Sequence, residues 1–166
     1  MAQKTGRMIS KSEIYGRCFK EIIKKVKGLE IHERMDLICE VLKREIPYYF
    51  WVGFYFPKGD FLELGPSRGP PACARIATTG VCGKAVKERK AIVVSDVNKF
   101  PGHISCDPRS KSEIALPVFD GKGNIIAVLD VDGEELERFD EMDQKWLKKL
   151  FTRPSHMSRQ RNNPHK

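Results

Sequence analysis

Eight of the nine residues at 48–56, Tyr-Tyr-Phe-Trp-Val-Gly-Phe-Tyr-Phe, are aromatic or β-branched, and Pro47 stands directly before them. Such side chains suit the pleated surface of a strand. The proline disfavours the α conformation in the residue that precedes it. The chain must change here from helix to sheet. Upstream, Ile14, Cys18, Ile22 and Val26 recur every four residues, so 12–27 reads as an amphipathic helix. A second helix is expected at 31–45, with Met35, Leu37, Ile38, Val41 and Leu42 as its apolar set. Cys18 and Cys39 lie within these helices and read as packing residues.

Downstream the signals alternate between turns and strands. Pro57-Lys58-Gly59-Asp60 is a turn, and 61–64 returns as a hairpin partner. A loop at 65–71, a short helix at 81–87 opening near Gly80, and a strand at 91–96 follow. Residues 97–111 form a long irregular stretch, of the kind that in a compact domain is functional or disordered. Strands at 113–119 and 125–131 flank the turn 120–124, and Asp140 caps a last helix whose apolar face is Met142, Trp146, Leu147 and Leu150. Two adjacent hairpins between terminal helices predict an α+β fold, a mainly antiparallel central sheet with those helices packed on one face. The expected organisation is a flexible N-terminus at 1–11, a single domain at 12–151 and a basic, disordered tail at 152–166.

Composition narrows the function. The chain has 166 residues, enough for a core without disulfide staples. No stretch approaches the roughly 20 apolar residues that cross a bilayer, and Met-Ala-Gln-Lys-Thr-Gly-Arg lacks the apolar centre of a signal peptide. A cytoplasmic protein without a membrane is the expectation. The net charge of +8 raises nucleic acid as a partner. Yet the surplus sits at Lys20, Lys24, Lys25 and Lys27 and in the tail, with the middle near balance, so a solvated basic surface is the better reading.

Five cysteines cannot all pair within one chain, and persistent structural disulfides are rare in the cytosol. Cys73, Cys82 and Cys106 sit in turn-rich settings, Pro-Pro-Ala-Cys, Thr-Gly-Val-Cys-Gly and His-Ile-Ser-Cys-Asp-Pro, where reactive thiols rather than inert core ones are found. Two settings would lower a thiol pKa: Cys106 beside His103 and Arg109, and Cys82 at a helix N-terminus. Spacings of nine and twenty-four residues lack the close Cys-x-x-Cys pairs of structural zinc sites. Asp130 and Asp132 lie two apart at the end of an apolar run, so they share one face of a strand. Carboxylates there need a cation or a proton. Trp51 and Tyr55 also share a face, as pocket walls or as core.

The set Trp51-Val-Gly-Phe-Tyr55, Gly69-Pro-Pro-Ala-Cys73-Ala-Arg-Ile76, Gly80-Val-Cys82-Gly83, Phe100-Pro-Gly-His-Ile-Ser-Cys106-Asp, Ser112-Glu113 and Asp130-Val-Asp132 resembles the GAF-domain free methionine-(R)-sulfoxide reductases. The resemblance runs from Ile14 to Leu150. It implies a GAF-like sheet and thioredoxin-dependent reduction of free L-methionine-(R)-sulfoxide, with no metal and no bound cofactor, NADPH serving only indirectly. It makes Cys106 the nucleophile and Cys82 and Cys73 the resolving or relay thiols, with Cys82 as the alternative nucleophile. In such chemistry a thiolate attacks the sulfoxide sulfur while the oxygen gains a proton, and the resulting sulfenic acid condenses with a second thiol. Glu113, Asp130, Asp132, Trp51 and Tyr55 would bind substrate, with the acids meeting its α-ammonium and Glu113 the sulfoxide oxygen. A homodimer is also implied. One departure stands out: 76–82 reads Ile-Ala-Thr-Thr-Gly-Val-Cys, a residue shorter and with one glycine where the family carries Gly-x-Gly, which bears on the reach of Cys73 and the order of relay. A non-catalytic GAF sensor of a small molecule or redox state is the competing reading.

Overall fold

The computed structural model describes residues 6–103 and 106–152. Of the basic tail only Thr152 falls within them, as the last residue of a helix. Six strands form one sheet in the order β3-β2-β1-β6-β5-β4, and every neighbouring pair is antiparallel. They are β1 Trp51–Lys58, β2 Phe61–Arg68, β3 Arg75–Ala77, β4 Ile92–Val94, β5 Ser112–Phe119 and β6 Ile125–Gly133. The helices are α1 Lys11–Lys25, α2 Ile31–Glu45, α3 Val81–Glu88 and α4 Glu141–Thr152.

The sheet separates two cores. On one face α1, α2 and α4 bury Cys18, Ile22, Ile38, Cys39 and Leu147 against Val52, Phe54, Ile114 and Leu129. On the other face α3 covers a smaller cluster with Trp51, Tyr55, Cys82, Ala115 and Val128. Residues on one strand alternate between the two clusters, as a pleat requires.

The helical face is locked by one carboxylate. Asp143, fully buried, accepts hydrogen bonds from Tyr15 Oη (2.6 Å), Tyr48 Oη (2.6 Å), Lys11 Nζ (2.6 Å) and the Asp140 amide (2.9 Å). Tyr49 Oη lies 2.8 Å from Tyr15 Oη. This is why the first strand opens at Trp51 rather than 48: Tyr48 and Tyr49 turn back to serve α1 and α4, and the Tyr49 amide donates to the Ile46 carbonyl.

Three other expectations change. Pro57 lies within β1, opposite Leu62, because β6 pairs only Trp51–Tyr55 and leaves that end of β1 with one neighbour. Residues 65–68 continue β2 rather than looping, since Ser67 and Arg68 find partners in Gly53 and Val52. The third, β3, carries no β-rich signature and exists through its pairing with Phe61–Glu63. In α4 the cap is as expected, with Asp140 Oδ1 accepting from the Met142 amide (2.9 Å), but Met142 itself is exposed.

Candidate active site

β1, β6 and β5 lie side by side, and their register lays out the floor of a cleft. Trp51, Asp132 and Glu113 form one cross-strand row, and Gly53, Asp130 and Ala115 form the next. On β1 and β5 a large or acidic residue is followed by a small one, while β6 places an acid in both rows. A β-carbon on Gly53 would overlap the Trp51 indole and stand 2.7 Å from Ser67 Cβ, so only glycine lets the indole lie across the strand. Trp51 and Tyr55 tilt against one another with ring centres 5.9 Å apart.

The other wall comes from α3 and from the segment before β5. Gly83, in the first turn of α3, packs so closely on Thr78 that any side chain would overlap the Thr78 carbonyl. Gly102, at φ +76°, lies against the Thr79 carbonyl. The two glycines seat the start of α3 and the segment carrying His103 on the same short stretch. Together these elements line a cleft of about 640 Å³ when its open mouth is included.

Trp51, Tyr55, Cys82, Cys106, Glu113, Asp130 and Asp132 all line this cleft. Cys73 joins them through a disulfide to Cys106, with Cα atoms 5.6 Å apart. The shortened stretch at 76–82 therefore does not keep Cys73 from Cys106. The Cys73 carbonyl also accepts a hydrogen bond from Tyr55 Oη (3.0 Å).

Cys82 remains a free thiol and is buried. The expected lowering of its pKa by the helix N-terminus is overturned. Burial pushes it well above the ordinary thiol value, and Asp130, Glu113 and Asp132 push the same way. The cations expected beside Cys106 are likewise engaged elsewhere. Arg109 is paired with Asp107 (2.7 Å) and lies over the Phe50 ring. His103 Nδ1 faces Glu113 Oε2 at 3.7 Å.

The three acids are all pushed upward. Burial raises Glu113 first, then Asp130 and Asp132. Burial also raises Asp130, against which Glu113, Cys82 and His103 act. Asp132 is raised by burial and by Asp130, and lowered by the Ser110 hydroxyl. Among the described residues, Glu113 Oε2, Asp130 Oδ1 and His103 Nε2 are buried with no hydrogen-bond partner. Buried polar groups left in this state mark a place shaped for something else to bind. His103 and Ser110 were not read from the sequence as site residues. The sequence marks His103 only as a cation beside Cys106, and Ser110 only by its place between Gly102 and Glu113.

Residues 28–152 match the family model described as GAF domain. The chain is 43% identical over 140 residues to GAF domain-containing protein A of Dictyostelium discoideum, covering 80% of this chain and 87% of that protein. It is 36% identical to a crystallised free methionine-R-sulfoxide reductase from Neisseria meningitidis, solved in complex with its substrate, covering 92% of each chain with a TM-score of 0.82. The chain belongs to the GAF-domain free methionine-(R)-sulfoxide reductases. The free methionine-R-sulfoxide reductase of Escherichia coli is 46% identical over 101 residues, which is 60% of this chain and 61% of that enzyme. The six-stranded sheet and its flanking helices are thus those of a GAF domain, and the acids and cysteines of this cleft stand in an oxidoreductase family. No helix among the described residues is long and apolar enough to cross a membrane.

Proposed function

We propose that the chain is a cytoplasmic enzyme that reduces free L-methionine-(R)-sulfoxide to methionine at the expense of a thioredoxin-like dithiol. The observation that carries the reading is a cleft with three buried or partly buried carboxyl groups, two of them with unpartnered oxygens, beside a Cys73–Cys106 disulfide. An α-ammonium supplies the missing positive charge. A methionine sulfoxide within a polypeptide has no ammonium to offer, so the same groups select the free amino acid.

In the reduced state the Cys106 thiolate attacks the sulfoxide sulfur, while Glu113 gives a proton to its oxygen. Glu113 is suited to this because its carboxyl holds its proton well above the ordinary carboxylate range. The net first step converts a thiol and a sulfoxide into a sulfenic acid and methionine. Cys73 then attacks the sulfenic sulfur, forming the disulfide and releasing one water. Thiol–disulfide exchange with the external dithiol restores both thiols. Trp51 and Tyr55 enclose the substrate's methyl and sulfur, contacts that aromatic rings favour. Cys82 stays protonated beside the acids and forms no bond in this cycle.

The test is NADPH oxidation coupled through thioredoxin reductase and thioredoxin. Free (R), free (S) and peptide-bound methionine sulfoxide are supplied in parallel, with Cys106→Ser as control. Turnover of the free (R) epimer alone, abolished in the variant, is the expected result. Binding without turnover by the reduced protein would identify a sensor instead.

A further inference from the structure

Cys82, Glu113 and Asp130 are each more than nine-tenths buried, and one donor atom from each lies within 4.8 Å of the other two. Glu113 Oε2 and Asp130 Oδ1 have no hydrogen-bond partner. We propose that this cluster binds a zinc-like divalent cation, which occupies the cleft and excludes the substrate. The ion would be an inhibitor, with no part in the reaction.

The donor set selects the class of ion. Binding displaces the protons of Cys82 and of the carboxyls into solvent, and the resulting thiolate with carboxylate oxygens suits borderline-soft ions that accept sulfur and oxygen together, whereas magnesium and calcium take oxygen alone. One pair of donors already stands near bonding distance. Zinc bonds of about 2.3 Å to sulfur and about 2.1 Å to oxygen, at a tetrahedral angle, place the two donors about 3.6 Å apart. Cys82 Sγ and Glu113 Oε1 lie 4.0 Å apart, so this pair needs a contraction of a few tenths of an ångström, while Asp130, within 4.8 Å of both, has further to swing in. Three protein donors leave a fourth position, which zinc in open sites fills with a water. His103 Nδ1 lies 3.7 Å from Glu113 Oε2, next to the cluster.

Cys82 lies outside the disulfide, so the three donors are present whether Cys73 and Cys106 are oxidised or reduced. Binding of the ion therefore does not rest on the proposed reaction; only the blockade of substrate does.

The oxidised protein should be titrated with zinc by calorimetry and with cobalt by absorption. The expected result is one ion per chain and a cobalt–thiolate charge-transfer band. Cys82→Ser should lose the band, and Glu113→Gln and Asp130→Asn should weaken zinc binding at least tenfold. The Cys73→Ser/Cys106→Ser double variant should bind as the parent does. Thermal melts would establish that each variant is folded. If Cys82→Ser does not fold, the charge-transfer band of the unsubstituted oxidised protein decides, because Cys18 and Cys39 are buried on the opposite face of the sheet. No bound ion, equal affinity in folded Cys82→Ser, or dependence on Cys73 or Cys106 would each overturn the proposal. Free methionine-(R)-sulfoxide should displace cobalt from Cys106→Ser. An intact cobalt spectrum that the sulfoxide cannot disturb would refute the blockade. Whether the sulfoxide binds metal-free Cys106→Ser, read by calorimetry, separates that result from failure of the substrate reading.

Discussion

Glu113 pairs with Asp132 on the neighbouring strand and faces Cys82, and burial first, then Asp130 and Asp132, keep its carboxyl protonated. Glu113→Gln keeps the shape of the side chain but removes the transferable proton. It should lower kcat about 10²- to 10⁴-fold with little change in KM. Asp132→Asn removes a charged partner from the ammonium and should raise KM roughly 10- to 100-fold, the worth of one hydrogen bond to a charged group. Steady-state kinetics on both variants separate the two roles, and an equal loss of kcat in each would refute the division. Gly53→Ala should displace the Trp51 indole and raise KM while kcat holds. All eight candidate residues line or adjoin one cleft: strand alternation put Asp130 with Asp132 and Trp51 with Tyr55, turn-rich settings marked the thiols, and Glu113 came from the family resemblance alone. The state of Cys82 was not. A helix N-terminus is visible locally, whereas the burial that dominates its state, and the carboxyls of β5 and β6 that add to it, come only with the fold.

At the scale of elements, Asp143 ties α1, α4 and the turn before β1 together. Asp143→Ala removes the shared acceptor of Tyr15, Tyr48 and Lys11, of which Tyr15 keeps Tyr49 and Lys11 keeps Asp140, and should cost about 1–3 kcal/mol in urea unfolding. The same cluster makes stability fall in alkali. Burial raises Tyr15 and Tyr48 above the ordinary tyrosine value, with Tyr49 adding to the effect at Tyr15 and Asp143 at both. An unfolded chain releases these protons near pH 10 while the folded chain retains them. The stability they confer is therefore complete below about pH 10 and is lost as pH rises beyond it, towards the raised folded values. Denaturation midpoints across pH 8–11 would show this, and a flat profile would contradict it. The helices were legible because their apolar period is local, and 31–45 is reproduced to the residue. The far half of β2 and all of β3 were not. Gly65-Pro66-Ser67-Arg68 has no strand character of its own and is held extended by β1.

Across the whole molecule, the disulfide closes a loop of 33 residues that contains α3 and β4. Chain-entropy arguments assign such a closure about 3–4 kcal/mol. The oxidised protein should melt about 10 °C above the reduced one. Thiol titration offers a second check. Oxidised folded protein should show no fast-reacting thiol, and unfolding should reveal three, because Cys18, Cys39 and Cys82 are all buried. The antiparallel α+β class was legible because two hairpins and terminal helices leave few ways to layer. Which face holds the chemistry was not, since Trp51 and Phe54 look alike as sequence and part company only at the sheet. Because the sheet separates the two cores, damage beside the cleft can be repaired from behind it. A substitution that opens the pocket to another amino acid and a second that tightens the helical side should simply add. The wall that keeps the Asp143 cluster away from substrate thus leaves the pocket free to drift towards new ligands while the fold stands.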